Sequence, residues 1–377
     1  MTDSTTTARN SSAGIPNGKV LVTGASGHVG SNIVRHLLEA GHEVRALVHP
    51  QANNRGLDGL RSIDGVEIER FEGDIRDADA MLRATEGIAR VFHVAAKIST
   101  ASATPEEEHS LYGINVIGTR NVARACLANG VGRMVLTGSF SATGFDLDDP
   151  SQPSDETLPF YPFGNTMPYA HTKALAEHQV LEAVADGLDA VIATSCGCIG
   201  PWDYLPSRMG GTICDYVNGK LRVYIDGGFM WIRAHDIASG HLLAMEYGRK
   251  GQKYLFATEF LSLRELFDTV REVAGVEREL IELPREPVRM VAALYSGTLA
   301  RFFPKASQRL TPGSIAVLEM RRRVDFSKSV RELGYQPTSM RTAITEAIEF
   351  FQREGMIHRA RVVARPGVRE PEQAPAE

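Results

Sequence analysis

The hydrophobic positions of the chain alternate between two spacings, which predicts alternating strands and helices. Short apolar runs typical of buried strands occur at residues 19–23, 43–48, 66–71, 91–96, 133–137 and 190–194. Between these runs, apolar residues recur at helical spacing in 31–40, 78–86, 114–127 and 169–184. Strands that alternate with helices predict an α/β fold, with a parallel sheet covered on both faces. Ligands bind such sheets beyond the C-terminal ends of the strands.

The pattern is less regular after about residue 200. Helices are expected at 234–245, 262–274 and 340–353, and Ser262 with Glu265 has the spacing of a capping box. The segment 287–303 is unusually apolar. It predicts a helix that closes a small domain or, alternatively, a lid or bilayer-surface helix beside a lipophilic substrate.

Three glycines follow the first predicted strand, Gly24, Gly27 and Gly30, at the spacing G-x-x-G-x-x-G before a helix. Gly24 allows a tight turn, Gly27 lets a pyrophosphate approach the backbone, and Gly30 lets helix and strand pack closely. The helix N-terminus supplies N–H donors for the phosphates. The alternative is a turn whose glycines serve packing alone. The other candidates from this turn for a dinucleotide site are Ser26, His28 and Val29.

The end of the second predicted strand bears on the choice of dinucleotide, and it carries no acidic residue. An acid there would bind the ribose 2′-OH of NAD, whereas a basic residue would accept the 2′-phosphate of NADP. His49 and Arg55 are the basic candidates, so NADP(H) is favoured and NAD(H) stays possible; Arg55 could equally lie in a solvated loop. Asp74 could accept from the adenine amino group, with Ile75 against the ring, or it could cap a helix.

Composition narrows the class of protein. The 377 residues are 43% hydrophobic and 23% charged, which is ordinary for globular proteins, and the net charge of −5 argues against a nucleic-acid partner. Four irregularly spaced cysteines predict reduced thiols, and no metal site is expected. Residues 1–17 and 358–377 predict a disordered leader and tail. No apolar run reaches the length of a transmembrane helix, so a soluble cytoplasmic protein is expected.

Tyr169 and Lys173 form Y-x-x-x-K on a predicted helix, which places both side chains on one face. A cation beside a phenol lowers the pKa of the phenol, so Tyr169 could serve as a general acid or base. Ser139 follows another strand, where its hydroxyl could hold a substrate oxygen. An ordinary surface pair is the alternative for Tyr169 and Lys173 alone, but the glycine turn and Ser139 favour catalysis.

These motifs resemble the extended (atypical) short-chain dehydrogenase/reductases of the NAD-dependent epimerase/dehydratase superfamily, over about residues 18–357. Further resemblances lie at 73–77, 93–96, 115–121, 168–177, 199–203 and 332–337. The resemblance implies a Rossmann-type doubly wound sheet in 18–200 that binds NAD(P), a smaller C-terminal α/β substrate-binding region in 201–357 with some segments returning to the sheet, and a homodimer. It implies Ser139, Tyr169 and Lys173 as catalytic residues and Asn115 as structural or cofactor-adjacent. Other cofactor candidates are Ala95, Ala96, Lys97 and Thr137.

Departures from the family pattern indicate an apolar substrate. Nucleotide-sugar enzymes of this superfamily usually carry Asn-Pro where this chain has Thr194-Ser195, and a diphosphate-binding Arg where it has Phe229. Arg233 is shifted along the chain. The pattern of residues at these positions is closer to that of the dihydroflavonol-reductase-like and 3β-hydroxysteroid-dehydrogenase-like branches. Candidate substrate contacts, of which the aromatic ones could instead be core residues, are Ser99, Ser141, Phe163, Trp202, Tyr204, Phe229 and Trp231.

Three functions are consistent with these observations. The first is an NAD(P)H-dependent oxidoreductase that interconverts a ketone or aldehyde and an alcohol on an apolar small molecule. The second is a nucleotide-sugar epimerase or dehydratase that recycles bound NAD internally. The third is a non-catalytic dinucleotide-sensing protein on the same fold, against which the intact Ser139, Tyr169 and Lys173 argue.

Overall fold

The computed structural model describes residues 18–60, 62–63, 66–99, 104–159, 167–288 and 312–358. The predicted leader, nearly all of the predicted tail and most of the apolar segment 287–303 lie outside these residues. The strands are β1 (Lys19–Thr23), β2 (Val44–Val48), β3 (Ser62–Ile63), β4 (Val66–Glu72), β5 (Ile88–His93), β6 (Arg133–Ser139), β7 (Ala190–Ser195), β8 (Gly197–Ile199), β9 (Val223–Ile225), β10 (Gly228–Arg233), β11 (Lys253–Phe256), β12 (Glu259–Ser262) and β13 (Ile281–Leu283).

The helices are α1 (His28–Glu39), α2 (Arg55–Asp58), α3 (Ala78–Thr85), α4 (Pro105–Tyr112), α5 (Thr119–Ala128), α6 (Pro168–Ala185), α7 (Arg208–Val217), α8 (Ala234–Tyr247), α9 (Leu263–Ala274), α10 (Pro312–Glu319) and α11 (Met340–Arg353). Two π-helical turns cover Gly113–Gly118 and Ser329–Leu333, and a 3₁₀ turn covers Phe140–Ala142. Ser262 and Glu265 form the predicted capping box at the start of α9.

The central sheet confirms the predicted α/β fold. Its strand order is β11-β7-β6-β5-β1-β2-β4-β3, and every neighbouring pair is parallel except β3 with β4. The chain runs outward from β1 in both directions, through β2 on one side and β5 on the other. The C-terminal ends of β1 and β5 therefore bound the crevice where such sheets bind ligands.

Helices cover both faces of this sheet. On one face, α1 and α8 pack on a core that includes Ile33, Leu37 and Phe92. On the other face, α3, α5 and α6 pack on a second core that includes Met81 and Val180. Both cores use the apolar positions that recur at helical spacing in the sequence, because those positions share one side of each helix.

A smaller region lies beyond β7. It contains the sheet β12-β10-β8, the pair β13-β9 and helices α7, α9, α10 and α11 around a core of its own. The chain returns to the central sheet with α8 and β11, so residues after 200 contribute to both regions. Within the described residues, no helix combines the length and apolar character needed to cross a bilayer.

Candidate active site

A cleft of about 590 Å³ opens at the C-terminal ends of the central strands. The proposed catalytic Ser139 is on its wall, and so is every proposed cofactor residue except Arg55. These cofactor candidates are Gly24, Ser26, Gly27, His28, Val29, Gly30, His49, Asp74, Ile75, Ala95, Ala96, Lys97, Thr137, Tyr169 and Lys173. These residues come from six separate segments of the chain, and they meet at the place where the topology predicts a ligand.

The glycine turn fits a dinucleotide. Gly24 has a φ of +66°, and a Cβ there would lie 2.7 Å from the Ala95 nitrogen. A Cβ at Gly30 would lie 2.1 Å from the Gly24 carbonyl oxygen, so only glycine permits this contact between helix and turn. Gly27, at the N-cap of α1, has no side chain to cap the helix. The N-terminus of α1 and the backbone of the glycine turn both face the cleft, where their N–H groups are available to a phosphate.

The wall beside β5 is fixed by a buried histidine. The Thr23 hydroxyl donates to His93 Nδ1 at 2.7 Å and accepts from the Val94 and Ala95 N–H groups at 3.1 and 3.2 Å. His93 Nε2 donates to Thr119 at 2.9 Å. Burial, with the Lys173 charge nearby, lowers the pKa of His93 to about 3, so the ring is neutral. The fourth predicted strand accordingly ends at His93, and Ala95 and Ala96 lie in the loop beyond it.

Asn115 connects this loop to helix α6. Its side-chain oxygen accepts from the Lys97 N–H at 2.8 Å, and its amide donates to the Lys97 carbonyl at 3.0 Å and to Thr172 Oγ1 at 2.9 Å. Thr172 in turn donates to the Tyr169 carbonyl at 2.9 Å. Asn115 lies in the π-helical turn Gly113–Gly118, which interrupts the single helix predicted for 114–127. Its observed contacts are structural.

Three hydroxyl groups, those of Ser139, Ser141 and Tyr169, meet beside the end of β6. Ser139 hydrogen-bonds the Tyr169 phenol and, at 2.7 Å, the Ser141 hydroxyl. Burial raises the pKa of Tyr169, and the hydrogen bond from Ser139 opposes this rise. The expected lowering of this pKa by Lys173 is therefore absent from this structure, because the buried phenol loses hydration. Tyr169 is a neutral hydroxyl, which is the form that donates a proton.

Lys173 is 4% exposed, and its ammonium donates to the Thr137 carbonyl at 2.8 Å. Burial lowers the pKa of Lys173 to about 8, and the charge of Glu177 opposes this. Glu177 is fully buried one turn further along α6, and Lys253 Nζ lies 2.5 Å from its Oε2. A Cβ at Gly138 would lie 3.1 Å from Glu177 Oε1, so glycine leaves room for this carboxylate behind β6.

At the opposite end of the cleft, Asp74 lies between the side chains of Arg76 and His49. Arg76 donates from Nε to Asp74 Oδ1 at 3.1 Å and from Nη2 to Asp74 Oδ2 at 2.5 Å, and His49 Nε2 lies 3.4 Å from Oδ2. The hydrogen bond from Arg76 lowers the pKa of Asp74. Asp77, and not Asp74, caps the following helix α3. The capping alternative for Asp74 is thus wrong.

Arg55, unlike the other proposed cofactor residues, is not among the residues that line the cleft, in agreement with the solvated alternative. Arg55 is more than half exposed and donates to Glu354 at 3.2 Å, so it is drawn away from the cleft. Arg76 lines the cleft instead. The sequence analysis missed Arg76, although it directly follows Asp74 and Ile75 and could have been found from that position.

Most proposed substrate contacts lie elsewhere. Trp231 is 2% exposed, and its indole N–H donates to the Leu261 carbonyl at 3.2 Å. Phe229 packs on Trp231 at a centroid distance of 5.4 Å. Both belong to the core of the small region, because β10 is the middle strand of its three-stranded sheet.

Trp202 and Tyr204 pack at a different interface. Their rings lie 5.7 and 5.0 Å from Phe350, and Arg35 lies 4.2 Å from the Trp202 centroid. Ser99 is buried and donates to Glu107 at 2.6 Å. Ser141 stays beside Ser139, whereas Phe163 lies outside the described residues. The aromatic side chains therefore serve packing between regions, and Ser141 keeps its place beside the reactive hydroxyls.

The cleft has a further wall that the sequence analysis did not assign. It is formed where the chain leaves the central sheet for the small one, by Ser195, Cys196, Gly197 and Cys198. Ser195 stands in register with Ser139 on the neighbouring strand. Burial raises the pKa of Cys196 to about 12 and raises that of Cys198, so both are neutral thiols. Their position directly after a predicted strand is the feature of the sequence that could have identified them as cleft residues.

The family model described as the NAD dependent epimerase/dehydratase family matches residues 20–257. Sterol demethylase protein B of Methylococcus capsulatus is 37% identical over 337 residues, 89% of this chain and 99% of that protein. A putative dihydroflavonol 4-reductase of Synechocystis is 32% identical over 340 residues, which are 89% of this chain and 95% of that protein. The 3 beta-hydroxysteroid dehydrogenase/Delta 5-->4-isomerase of Mycobacterium tuberculosis is 29% identical, covering 89% and 90%.

Solved structures agree with the fold. The crystal structure of gox2253 has a TM-score of 0.76 and 32% identity, covering 91% of this chain and all of that one. DesIV, a dTDP-glucose 4,6-dehydratase of Streptomyces venezuelae with NAD bound, has a TM-score of 0.71 at 22% identity, covering 90% and 98%. The predicted resemblance is confirmed: the chain belongs to the NAD-dependent epimerase/dehydratase family and is an NAD(P)-dependent oxidoreductase of the extended short-chain dehydrogenase/reductase type.

Proposed function

We propose that this protein interconverts a ketone or aldehyde and an alcohol on an apolar small molecule, with Tyr169 as the general acid or base. The observation that carries the proposal is the meeting of Tyr169, Ser139 and Lys173 on the wall of the cleft that also contains the glycine turn. A nicotinamide cofactor supplies or accepts the hydride when it is bound.

Each of the three residues has a distinct role in the proposed reaction. Ser139 hydrogen-bonds the substrate oxygen and orients it toward Tyr169. During reduction, the Tyr169 hydroxyl gives its proton to that oxygen, and during oxidation the phenolate takes it back. In the resting protein burial keeps the Tyr169 phenol protonated, and in the proposed reaction the Lys173 ammonium compensates the negative charge that Tyr169 acquires when it gives up its proton. This role requires Lys173 to be protonated, which its burial makes dependent on pH.

The proposed substrate is lipophilic and uncharged. The names of three similar proteins refer to a sterol demethylase, a dihydroflavonol reductase and a hydroxysteroid dehydrogenase. The diphosphate-binding arginine of sugar-nucleotide enzymes is replaced by Phe229, which is partly buried against Trp231. Arg233, the nearest alternative, is held by Glu346 at 2.6 and 2.8 Å. A sterol or steroid hydroxyl or ketone is therefore the first class to test.

NADP(H) is the favoured cofactor, with NAD(H) as the alternative. The end of β2 has no carboxylate to bind a ribose 2′-OH, and Asp74 nearby is paired with Arg76. His49 and Arg76 both line this end of the cleft and could approach a 2′-phosphate. Binding of ADP-ribose and of its 2′-phosphate derivative, measured by calorimetry, separates the two cofactors without relying on turnover.

The activity test combines cofactor and substrate panels. The purified protein is incubated with NADPH or NADH and sterol ketones, steroid ketones or aliphatic ketones, and cofactor oxidation is followed at the nicotinamide absorbance. The proposal expects stoichiometric cofactor consumption and an alcohol product identified by mass spectrometry. A parallel reaction contains UDP- and dTDP-sugars. Sugar conversion with a tightly held cofactor that is never consumed would instead establish the epimerase or dehydratase alternative.

A further inference from the structure

A buried arginine from the C-terminal part of the chain lies behind the reactive serine. Arg322 is 8% exposed and reaches the turn that follows β6. Its guanidinium donates to the Thr143 carbonyl at 2.8 Å, the Gly144 carbonyl at 3.1 Å and the Phe140 carbonyl at 3.4 Å. Phe140 is the residue next to Ser139, so these contacts begin directly behind the catalytic hydroxyl.

Aromatic rings confine the same guanidinium. Arg322 lies 4.3 Å from the ring centroid of Phe140 and 4.5 Å from that of Phe145. A planar guanidinium can stack on rings while its N–H groups bond carbonyls in the plane. An ammonium cannot make both sets of contacts, so the environment of Arg322 is specific for arginine.

Backbone pairing between Ser154 and the segment around Val324 places Arg322 beside the turn after β6. Ser154, at the far end of the loop after β6, forms a parallel bridge with Val324. Its N–H donates to the Arg323 carbonyl at 3.0 Å, and its carbonyl accepts from the Asp325 N–H at 2.9 Å. The loop from Phe140 to Ser154 is thus held at its start by the Arg322 side chain and at its end by the neighbouring backbone.

The turn held in this way carries the reactive hydroxyls. In the 3₁₀ turn Phe140–Ala142, the Thr143 N–H donates to the Phe140 carbonyl at 3.1 Å. Within it, Ser141 bonds Ser139 through both its hydroxyl and its N–H. A shift of Phe140 would move Ser139 relative to Tyr169, and misplacement of about 1 Å costs roughly 100-fold in rate.

We propose that Arg322 is a positioning residue, which holds the turn after β6 so that Ser139 and Ser141 meet Tyr169. Its effect on catalysis rests on the proposed function. Arg322 touches the turn and not the reacting atoms, so it sets the geometry of the hydroxyl pair and leaves the glycine turn and the cofactor site unchanged.

Hydrogen exchange tests the structural half of the proposal without any substrate. Arg322→Lys should accelerate exchange of the Thr143 amide by about ten-fold or more, since the carbonyl groups of the turn lose the guanidinium that donates to them. Arg323→Lys is the matched control, because Arg323 is exposed and lies over Phe260 at 4.3 Å. Wild-type exchange in Arg322→Lys would overturn the proposal, whatever the activity.

Kinetics test the catalytic half. Arg322→Lys should lower kcat by about 10- to 100-fold with cofactor affinity within about two-fold of wild type. Millimolar methylguanidinium should restore a measurable part of kcat to Arg322→Ala but not to Arg322→Lys, whose side chain fills the site. If Arg322→Ala loses rate and melts at a lower temperature, and methylguanidinium does not restore any of the rate, then Arg322 has only a general structural role. That result would contradict the proposal.

If Arg322→Ala does not fold, a milder variant still tests the proposal. Phe145→Leu keeps an apolar side chain but removes one stacking ring, and it should shift exchange and kcat in the same direction by a smaller factor. Unchanged exchange and kcat in a folded Phe145→Leu would count against the proposal. If wild-type protein turns over no ketone or alcohol, the proposed function fails, and the exchange result alone decides whether Arg322 holds the turn.

Discussion

At the residue scale, the polar side chains around Lys173 have partners that fix their direction and protonation state. Lys173 bonds the Thr137 carbonyl, and the Thr137 hydroxyl donates to His241 Nε2 at 2.9 Å. His241 donates from Nδ1 to the Ile237 carbonyl at 2.7 Å, and burial lowers its pKa to about 4. Lys173 is therefore surrounded by neutral groups, with Glu177 as the nearest compensating charge.

The pKa of Lys173 predicts an alkaline limit to activity. Below its pKa of about 8, Lys173 carries the ammonium that the proposed reaction requires, and the charge is lost as the pH rises through that value. Since kcat/KM reports the free enzyme, kcat/KM for the cofactor should fall above about pH 8. Glu177→Gln removes the charge that raises this pKa, so the fall should move to lower pH.

The exposed Glu182 on the same helix provides the control. Glu182→Gln should leave the midpoint of the pH–rate profile where it is in the wild type. If Glu177→Gln and Glu182→Gln have the same profile, Glu177 does not support the charge on Lys173. A circular dichroism melt of each variant checks that the mutant proteins are folded.

The residues that could be predicted from the sequence are those inside short motifs. Gly24, Gly27 and Gly30, Tyr169 and Lys173 have fixed spacings that follow from the geometry of a turn or a helix. Their partners come from distant segments: Glu177 is paired by Lys253, and the turn after Ser139 is held by Arg322. No local pattern encodes such pairings, because they depend on how strands far apart in sequence become neighbours.

At the element scale, two glycines at the start of α1, Gly27 and Gly30, have different structural roles. Gly30→Ala would place its Cβ against the Gly24 carbonyl and should lower the free energy of unfolding by about 1–3 kcal/mol. At Gly27 the nearest atom would be 3.4 Å away, an ordinary contact, so Gly27→Ala should fold normally. It should nevertheless weaken dinucleotide binding by about ten-fold or more, because the backbone can no longer approach the phosphates.

Urea unfolding and calorimetric binding of ADP-ribose distinguish these two effects. The expected pattern is a destabilised Gly30→Ala protein and a stable Gly27→Ala protein with weak binding. Equal stability of the two variants would contradict the close contact between α1 and the glycine turn. Unchanged binding of ADP-ribose by Gly27→Ala would show that Gly27 does not contribute to phosphate binding.

The contact between α1 and α8 predicts a dependence of stability on pH. His36 and His235 meet there at a centroid distance of 4.5 Å, and burial, followed by the charge of His235, lowers the pKa of His36 to about 4. An unfolded histidine has a pKa near 6.5, so this contribution is fully present above about pH 6.5 and is lost as the pH falls toward 4.

Replacement of His36 by Leu removes this titration. The free energy of unfolding of the wild type should fall between pH 7 and pH 5, and in His36→Leu that fall should be smaller by roughly 1–2 kcal/mol. Urea titrations at both pH values measure the difference. An equal fall in the two proteins would show that His36 titrates alike in the folded and unfolded states.

At the scale of the whole molecule, an ion-pair network joins the central sheet to the smaller region. Arg233 ends β10, donates to Glu346 on α11 at 2.6 and 2.8 Å, and donates to Thr338 at 3.1 Å. Asp236, 3% exposed in the first turn of α8, accepts from the Thr338 N–H at 2.7 Å. Arg233, which is shifted along the chain from the family's diphosphate-binding position at Phe229, thus has a structural role here.

Breaking this network should cost more than breaking an exposed ion pair. Arg233→Met removes the guanidinium that pairs with Glu346 and Asp236 and should lower the free energy of unfolding by about 2–3 kcal/mol. Arg341→Met removes a pair between Arg341 and Glu272, both more than half exposed, and should cost less than about 1 kcal/mol. Similar losses in chemical denaturation would show that the Arg233 network does not join the regions energetically.

The architecture of the central region follows closely from the sequence, whereas the substrate side does not. The apolar runs place its strands within a few residues, because burial on both faces leaves a strong pattern. Trp202, Phe229 and Trp231 look alike in sequence whether they face a ligand or a core. The structure places them in packing contacts between or within regions, which depend on tertiary neighbours that no residue spacing reveals.

The account depends most directly on proton transfer by Tyr169 beside a bound nicotinamide cofactor. The decisive measurement is cofactor oxidation with a lipophilic ketone by wild type and Tyr169→Phe, together with calorimetric cofactor binding by both. We predict a 10²- to 10⁴-fold lower kcat in Tyr169→Phe with cofactor affinity within about two-fold of wild type. Equal kcat values for the two proteins, with wild type active, would contradict the central claim.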